Sequence, residues 1–414
     1  MSRWPLTVRG TGAVLLAVAC FFLAHEFSIP ELLYVCVLLL AVVAASVLTV
    51  HLVGRSESVT RAFLPDSVTV GRTVRVRLDV TVRSALPAAQ GTWRDQLPAG
   101  LDGDAGGVFP ALSSATGTRS EAVALEYEIE AQRRGVRTVG PLTVTSTDPF
   151  GFARRRHVVG GPVSLTVAPA IVDLGAVGDL PGEAGGSVHT STNQLGQGAD
   201  NLVPRHYVPG DSMRRIHWRA SAHRDELMVR QEEQETTPQA VVVLDRGIHR
   251  WSPEAFRAPG EDPGFEEGVS AAISVVARLA HEGFTVHLLD VDGAELGDRV
   301  EAHDLAGVEV LAADLATTVA RRDLPLEPLV RRFQATMTGP LVLVTGRIDE
   351  ADAEVLAPLA AHSALPVLLA VAPQHDALER AARAGWRAAV VHPDGDLAAS
   401  WAAAVERGAS RVDA

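Results

Sequence analysis

The chain has 414 residues, enough for two or three domains, with 47% hydrophobic residues and a formal net charge of −13. That acidic balance sets the bulk field against nonspecific nucleic-acid binding, so nucleic acid is not an expected partner. No lysine occurs, and the two cysteines, Cys20 and Cys36, lie in apolar runs where they build neither a disulfide framework nor a thiolate metal site.

Residues 10–24 form an uncharged run of about 15 residues, slightly short for a membrane span; residues 32–53 give about 22, long enough to cross with some tilt. Only HEFSIPE separates them. Pro30 suits the first turn of the second helix, and Glu31 suits its positive N-terminal end. Residues 1–56 are therefore expected to form a tight transmembrane helical hairpin. The rival is a cleaved signal peptide, but a cut after Ala24 would put bulky Phe22 where a small residue is wanted. Arg3 and Arg9 precede the first run, and Arg55 and Arg61 follow the second, while the connecting loop holds glutamates and no arginine. The positive-inside rule predicts that both termini are cytoplasmic.

Residues 57–172 change to short strands. Residues 73–82, TVRVRLDVTV, alternate apolar and polar, as do residues 122–131, AVALEYEIEA. Further strands are expected at 142–146 and 163–167, each set off by a Gly-Pro pair. The pattern predicts a small β-sandwich. The basic run Arg154 to Arg156 is expected to be a solvated turn; the other reading is a strip beside an anionic membrane. Residues 173–198, rich in Gly, Ser and Thr, are expected to be a flexible linker or long loop.

Residues 199–237 enclose RHYVPGDSMRRIHWRASAHRDELMVRQ, with six arginines and three histidines. Asp211, after a Pro-Gly turn, is placed to cap a helix over 212–222. On that helix Met213, Ile216, His217 and Ala220 would share a buried face, with Arg215 and Arg219 on another. A short strand is expected at 227–229. Two roles compete for the segment. As a bracket between domains, Trp218 fills a gap and the arginines pair with nearby acids; this is the expected role. As an anion or acidic-partner site, Arg215, Arg219 and Arg224 receive phosphate or carboxylates. His217 and His223 are six apart and do not stack on one helical face, which argues against a metal site there.

From residue 238 to 414, apolar strands expected at 240–244, 285–290, 341–344, 367–371 and 388–391 alternate with helices expected at 266–282, 351–361, 377–384 and 397–406. This predicts a mostly parallel sheet covered on both faces. Sites in such sheets lie at the carboxyl ends of the strands, which singles out Asp245. No P-loop, dinucleotide fingerprint, H-E-x-x-H or G-x-S-x-G occurs.

The segment from Arg205 to Gln231, with RRGVRTVGPLTV and DPFGFARRR farther upstream, resembles the bacterial "domain of unknown function 58" family of membrane proteins with a von Willebrand factor A-like domain. The resemblance implies an α+β multidomain protein of the bacterial plasma membrane: the hairpin, the β-sandwich and a C-terminal A-like α/β domain. In such domains the first strand ends in D-x-S-x-S, whose oxygens hold a divalent cation such as Mg²⁺. Here Asp245 remains, but the serine positions are Gly247 and His249, and Gly346 stands where another Asp is usual. A degenerate metal-ion-dependent adhesion site without a cofactor is expected, with Asp245 paired to Arg246 or to a signature arginine. The resemblance further implies partnership with a MoxR-type AAA+ ATPase and a transglutaminase-like membrane protein, hence a non-enzymatic adaptor in envelope assembly. The alternative is a metal- or anion-dependent hydrolase using Asp245 and the His/Arg cluster.

Overall fold

A computed structural model describes residues 4–51, 55–84, 90–112, 121–177, 202–207, 213, 216–224, 226–232, 238–322, 325–333, 338–393 and 395–406. The protein is α+β and divides into two compact units. The first contains Met1–Ala170 with Pro253–Glu266 and Ala312–Val319; the second contains Ile171–Ser252, Glu267–Leu311 and Ala320–Ala414.

The first unit opens with two apolar helices, α1 (Val8–Phe27) and α2 (Glu31–His51), each long enough to cross a membrane by length and composition. On α1 the buried residues are Gly10, Ala13, Ala17, Cys20 and Ala24, a three-four spacing of small side chains that lets α2 approach closely. The large apolar residues of both helices, among them Leu16, Phe22, Tyr34 and Leu38, point outward.

Strands follow: β1 (Arg55–Leu64), β2 (Ser67–Thr69), β3 (Thr73–Ser84), β4 (Gly91–Asp95), β5 (Leu101–Asp102), β6 (Gly106–Phe109), β7 (Glu121–Ala131), β8 (Gly135–Val139), β9 (Leu142–Thr147), β10 (Arg154–Val159) and β11 (Val163–Ala168). They form two four-stranded antiparallel sheets, ordered β1-β3-β7-β5 and β10-β9-β4-β6, and a three-stranded sheet β2-β11-β8. Alternation dictates the packing: Val74, Val76, Leu78, Val80 and Val82 of β3 point into one core shared with Val123, Leu125 and Ile129 of β7 and Trp93, Leu142 and Val144 of the other sheet. At roughly 1.5–3 kcal/mol for each buried large apolar side chain, this face supplies the main driving force for the sheets to close on each other.

Arg61 occupies a core-facing position of β1, although its place in sequence suggested a membrane flank. It survives burial because its guanidinium forks onto Asp95 (2.7 and 3.0 Å) and donates to the Gly161 carbonyl, while the Tyr127 hydroxyl also donates to Asp95 at 2.6 Å. Burial first, then the Asp95 carboxylate, raises the Tyr127 hydroxyl well above its ordinary pKa. Arg134 is equally buried. It forks onto Glu266 at 2.7 Å, donates to the carbonyls of Leu315 and Thr318, and lies 5.7 Å from the Phe265 ring centre. The basic run 154–156 is strand rather than turn.

In the second unit, β12 (Leu202–His206) pairs antiparallel with β13 (Met228–Glu232), and α3 (Trp218–Arg224) lies between them in sequence. The five-stranded sheet contains β14 (Gln239–Leu244), β15 (Thr285–Leu289), β16 (Thr338–Ile348), β17 (Ser363–Pro373) and β18 (Arg387–Val390), all parallel, in the order β15-β14-β16-β17-β18. The short α4 (Glu254–Arg257) belongs to the first unit, and α5 (Pro263–His281) runs on into the second. The remaining helices are α6 (Leu305–Leu315), α7 (Glu327–Phe333), α8 (Glu350–Ala360), α9 (Ala377–Arg383) and α10 (Leu397–Glu406). Val241, Val243, Leu341 and Leu343 share one core with Leu329, Phe333, Leu356 and Ala381 of α7, α8 and α9. The alternate residues Val242, Leu244, Val342 and Val344 are buried as well, as a sheet covered on both faces requires. Residues around 295–300 turn back antiparallel along β15 through Val286–Val300 and Leu289–Glu295, so this sheet edge is not left open.

Of the expected linker or long loop only the start is described, and one other expectation fails. Residues 171–177 are packed chain: Leu174 is buried, its carbonyl accepts from Arg278, and the Gly175 carbonyl accepts from Trp401. The rest of the expected linker lies outside the described residues. The helix expected over 212–222 is shorter and later. Ile216, inside the expected helix, instead bridges Val229, and Met213 is exposed rather than on a buried face.

Candidate functional site at the carboxyl ends of the parallel strands

The strand order reverses between β14 and β16. Chain connections leave this point in opposite directions, and in open α/β sheets this is where sites form at the carboxyl ends of the strands. Asp245 follows β14 directly and is fully buried. Its Oδ1 accepts from the Gly247 N–H at 2.9 Å, and its Oδ2 accepts from the Thr345 hydroxyl of β16 at 3.0 Å, a bond that spans the reversal. The Arg250 Nε also pairs with Oδ2. Arg250 reaches on to both oxygens of Asp352 at 3.2 Å, in the first turn of α8. Trp251 donates its indole N–H to the Asp245 carbonyl at 2.8 Å, which fixes the loop backbone.

Burial pushes the Asp245 carboxyl up to about 6, against the opposing pull of Arg250, the Gly247 N–H and the Thr345 hydroxyl. Beside it, Asp290 follows β15 and is also fully buried. Arg246 and Arg321 pair with it at 2.7 and 2.8 Å, and Arg321 extends to Asp292 at 2.5 Å. Burial works to raise the Asp292 carboxyl, but the Ala294 N–H and Arg321 outweigh it and hold it below the usual range.

The loop leaves no room for another carboxylate on β16. A Cβ on Gly346 would lie 2.0 Å from the Arg250 carbonyl oxygen and 2.8 Å from the Trp251 ring. The divalent cation that an A-like domain would hold therefore does not fit these residues: both Asp245 oxygens already accept protein donors, and a guanidinium supplies the positive charge. Among the described residues, no group of three or more His, Cys, Asp or Glu is placed to hold a metal ion.

Of Asp211, Arg215, His217, Trp218, Arg219 and Arg224 in the signature segment, only His217 and Trp218 have described side chains. Asp211 and Arg215 lie outside the described residues, and Arg219 and Arg224 fall on α3 with side chains outside the description. His217 is half-buried, and its backbone N–H donates to the Met228 carbonyl at 2.7 Å. Ser221 ties α3 to β13: its hydroxyl accepts from the Met228 N–H at 2.9 Å. Trp218 is 67% exposed, so it fills no gap. Asp245 is paired with Arg250, whereas Arg246 goes to Asp290, so the expected partner of Asp245 is corrected by one helical turn of loop. Arg250, Thr345 and Asp290 were not singled out from sequence. Their signal was positional: Asp290 ends the strand beside β14, and Thr345 lies near the end of the strand on its other side.

No curated protein matches the chain. Among solved structures, it is similar to the Northeast Structural Genomics Consortium target SoR45, at 10% identity, covering 27% of this chain and 86% of that one, with a TM-score of 0.15. It is also similar to a PapD-like domain of human CEP192, at 15% identity over 27% and 84% of the two chains, with a TM-score of 0.14. A third is a GH20 exo-β-N-acetylglucosaminidase from Vibrio harveyi, at 10% identity over 76% of this chain and 46% of that one, with a TM-score of 0.18. Likeness at these scores sets neither fold nor activity. The family model described as "Protein of unknown function DUF58" matches residues 204–260, from the β12–α3–β13 segment through Asp245 and Arg250, and that match supports this family.

Proposed function

We propose that the chain is a membrane-anchored, non-enzymatic adaptor whose second unit is a von Willebrand A-like domain with an arginine in place of the cation. The observation that carries this reading is the filled Asp245. Its oxygens accept from Gly247 and Thr345 and are ion-paired with Arg250, and the Gly346 backbone packs against the Arg250 carbonyl. A catalytic carboxylate must be within reach of its substrate, and Asp245 is fully buried among protein donors. Asp245 is instead a strut that orients the loop carrying Arg250, Trp251 and Arg246. The parallel sheet, its first strand inside the sheet rather than at an edge, and the antiparallel return along β15 favour the A-like fold. The hydrolase alternative would need Asp245 to meet a histidine, and His223 sits exposed on α3.

The partner that this reading proposes is a MoxR-type AAA+ ATPase, with a transglutaminase-like membrane protein alongside, in envelope-related assembly. Exposed Trp218 is an aromatic anchor on a segment crowded with arginines, the composition of an interface hot spot. The test is a pull-down of the purified ATPase by the full chain in detergent, with and without nucleotide, across a salt series. Retention that weakens with salt, and that Trp218→Ala reduces several-fold, supports the adaptor. No retention in any nucleotide state at low salt overturns it.

A further inference from the structure

We propose that residues 148–156, the turn between β9 and β10 and the basic start of β10, form with Trp4 and Arg9 an interfacial collar that seats the β-domain on an anionic lipid surface. The inference rests on the reading of α1 and α2 as membrane spans and adds to it a specific lipid-contacting part of the soluble portion.

The turn is built, not loose. Asp148 accepts from the Phe150 N–H at 2.9 Å and the Ala153 N–H at 2.6 Å, and the Gly151 N–H closes back on the Asp148 carbonyl at 3.0 Å. The turn is also welded to the start of α1. Thr7 donates its N–H to the Phe152 carbonyl at 2.9 Å and its hydroxyl to the Gly151 carbonyl at 2.5 Å, Arg154 donates its N–H to the Pro5 carbonyl at 2.8 Å, and Leu6 bridges Ala153. Gly10 is needed there: a Cβ would come within 2.1 Å of the Phe152 carbonyl oxygen. At the other helix, Arg155 reaches the Val50 carbonyl near the end of α2. One rigid turn thus lies level with the N-terminal end of α1 and the C-terminal end of α2.

What this turn presents has no use in a soluble core. Phe150 is 63% exposed although it stacks on Phe152 at 6.2 Å, and Trp4 is 57% exposed with its indole N–H on Thr11. The Arg9 guanidinium lies 3.8 Å from the Cβ position of Gly151, and Arg154 and Arg156 share the exposed face of β10. Aromatic rings and arginines at the mouth of an apolar helix pair are what the headgroup layer selects: the rings sit at the interface and the cations meet anionic headgroups. The turn is tied to the start of α1 and the end of α2, whose outward side chains are apolar, which makes a lipid surface the occupant in preference to a protein.

The test uses the full chain in a Cys20→Ser, Cys36→Ser background, reconstituted into vesicles of phosphatidylcholine with or without phosphatidylglycerol. A nitroxide is placed in turn by Phe150→Cys, by Leu16→Cys on the exposed face of α1, and by Arg75→Cys on the exposed face of β3, and collisions with oxygen and with a water-soluble nickel chelate are measured. The expected result is strong chelate shielding at Leu16, intermediate shielding at Phe150 and none at Arg75. Shielding at Leu16 with Phe150 as open to chelate as Arg75 overturns the collar and leaves the spans standing. Chelate access at Leu16 overturns the span reading and the collar together. Phosphatidylglycerol is expected to deepen the Phe150 label, and the combined Arg9→Gln, Arg154→Gln, Arg156→Gln variant to lose that deepening. A deepening that survives the three substitutions overturns the role given to the arginines.

Discussion

Asp245 and Arg250 carry opposite charges at a point with almost no water, and the chemistry of the site follows from how that pair is held. With its carboxyl raised from 3.8 to about 6, folded Asp245 keeps a proton over a range where the unfolded chain has released it. The folded state binds the extra proton there, so this contribution is fully present below 3.8, falls as pH rises to about 6, and is flat above. At 1.36 kcal/mol per pKa unit it amounts to about 3 kcal/mol. The expected outcome is that the wild-type melting temperature falls relative to that of Asp245→Asn as pH rises across that window; a wild-type value that stays constant or rises relative to the variant contradicts the buried acid. Magnesium at millimolar concentration is expected to leave the melting temperature unchanged. A ligand at 100 times its Kd adds about 2.7 kcal/mol and would be seen at once. A magnesium-dependent rise that Asp245→Ala abolishes would show that Arg250 yields the site to a cation.

At the scale of elements, α3 shows where local pattern lost to pairing. The spacing of Met213, Ile216 and His217 fits a helix, but Ile216 bridges Val229 and the His217 N–H is taken by Met228, so the helix starts only at Trp218. That shift turns Trp218 outward. Trp218→Ala is expected to change unfolding free energy by no more than about 0.5 kcal/mol, as exposed positions do, where a buried aromatic would cost about 3–5 kcal/mol. Urea denaturation of the two chains in detergent decides between them. The strands of both units were legible because burial writes itself into sequence: period two in β3 and β7, near-continuous apolar runs in β14, β16 and β17. Asp245 was legible as the first residue past such a run. Arg250 and Gly346 were not. Arg250 looks like any other arginine in a chain with no lysine, and a glycine forced by the Arg250 carbonyl leaves no local pattern. Arg61 and Arg134 were hidden for the same reason, since their acids, Asp95 and Glu266, are distant in sequence.

For the whole molecule, the decisive question is on which side of a membrane the two units lie. α1 and α2 are joined by a turn of a few residues, with Ser28 in the left-handed region, so both outer ends of the pair face the same way. Orientation is set on the nascent chain by arginines near the span ends. Arg3, Arg9, Arg55 and Arg61 flank the outer ends, while the connecting turn is bounded by Glu26 and Glu31 and has no arginine. The later burial of Arg61 against Asp95 does not remove its charge from the chain at the moment of insertion. The outer ends are therefore expected in the cytoplasm, together with everything after α2. A phosphatase that works only outside the cytoplasm, fused after Ala414 in living cells, is expected to be inactive there and active when inserted between α1 and α2. The opposite pattern would put the Asp245 site and the arginine-rich segment outside the cell, beyond the reach of an ATPase, and the adaptor reading would fall with the orientation.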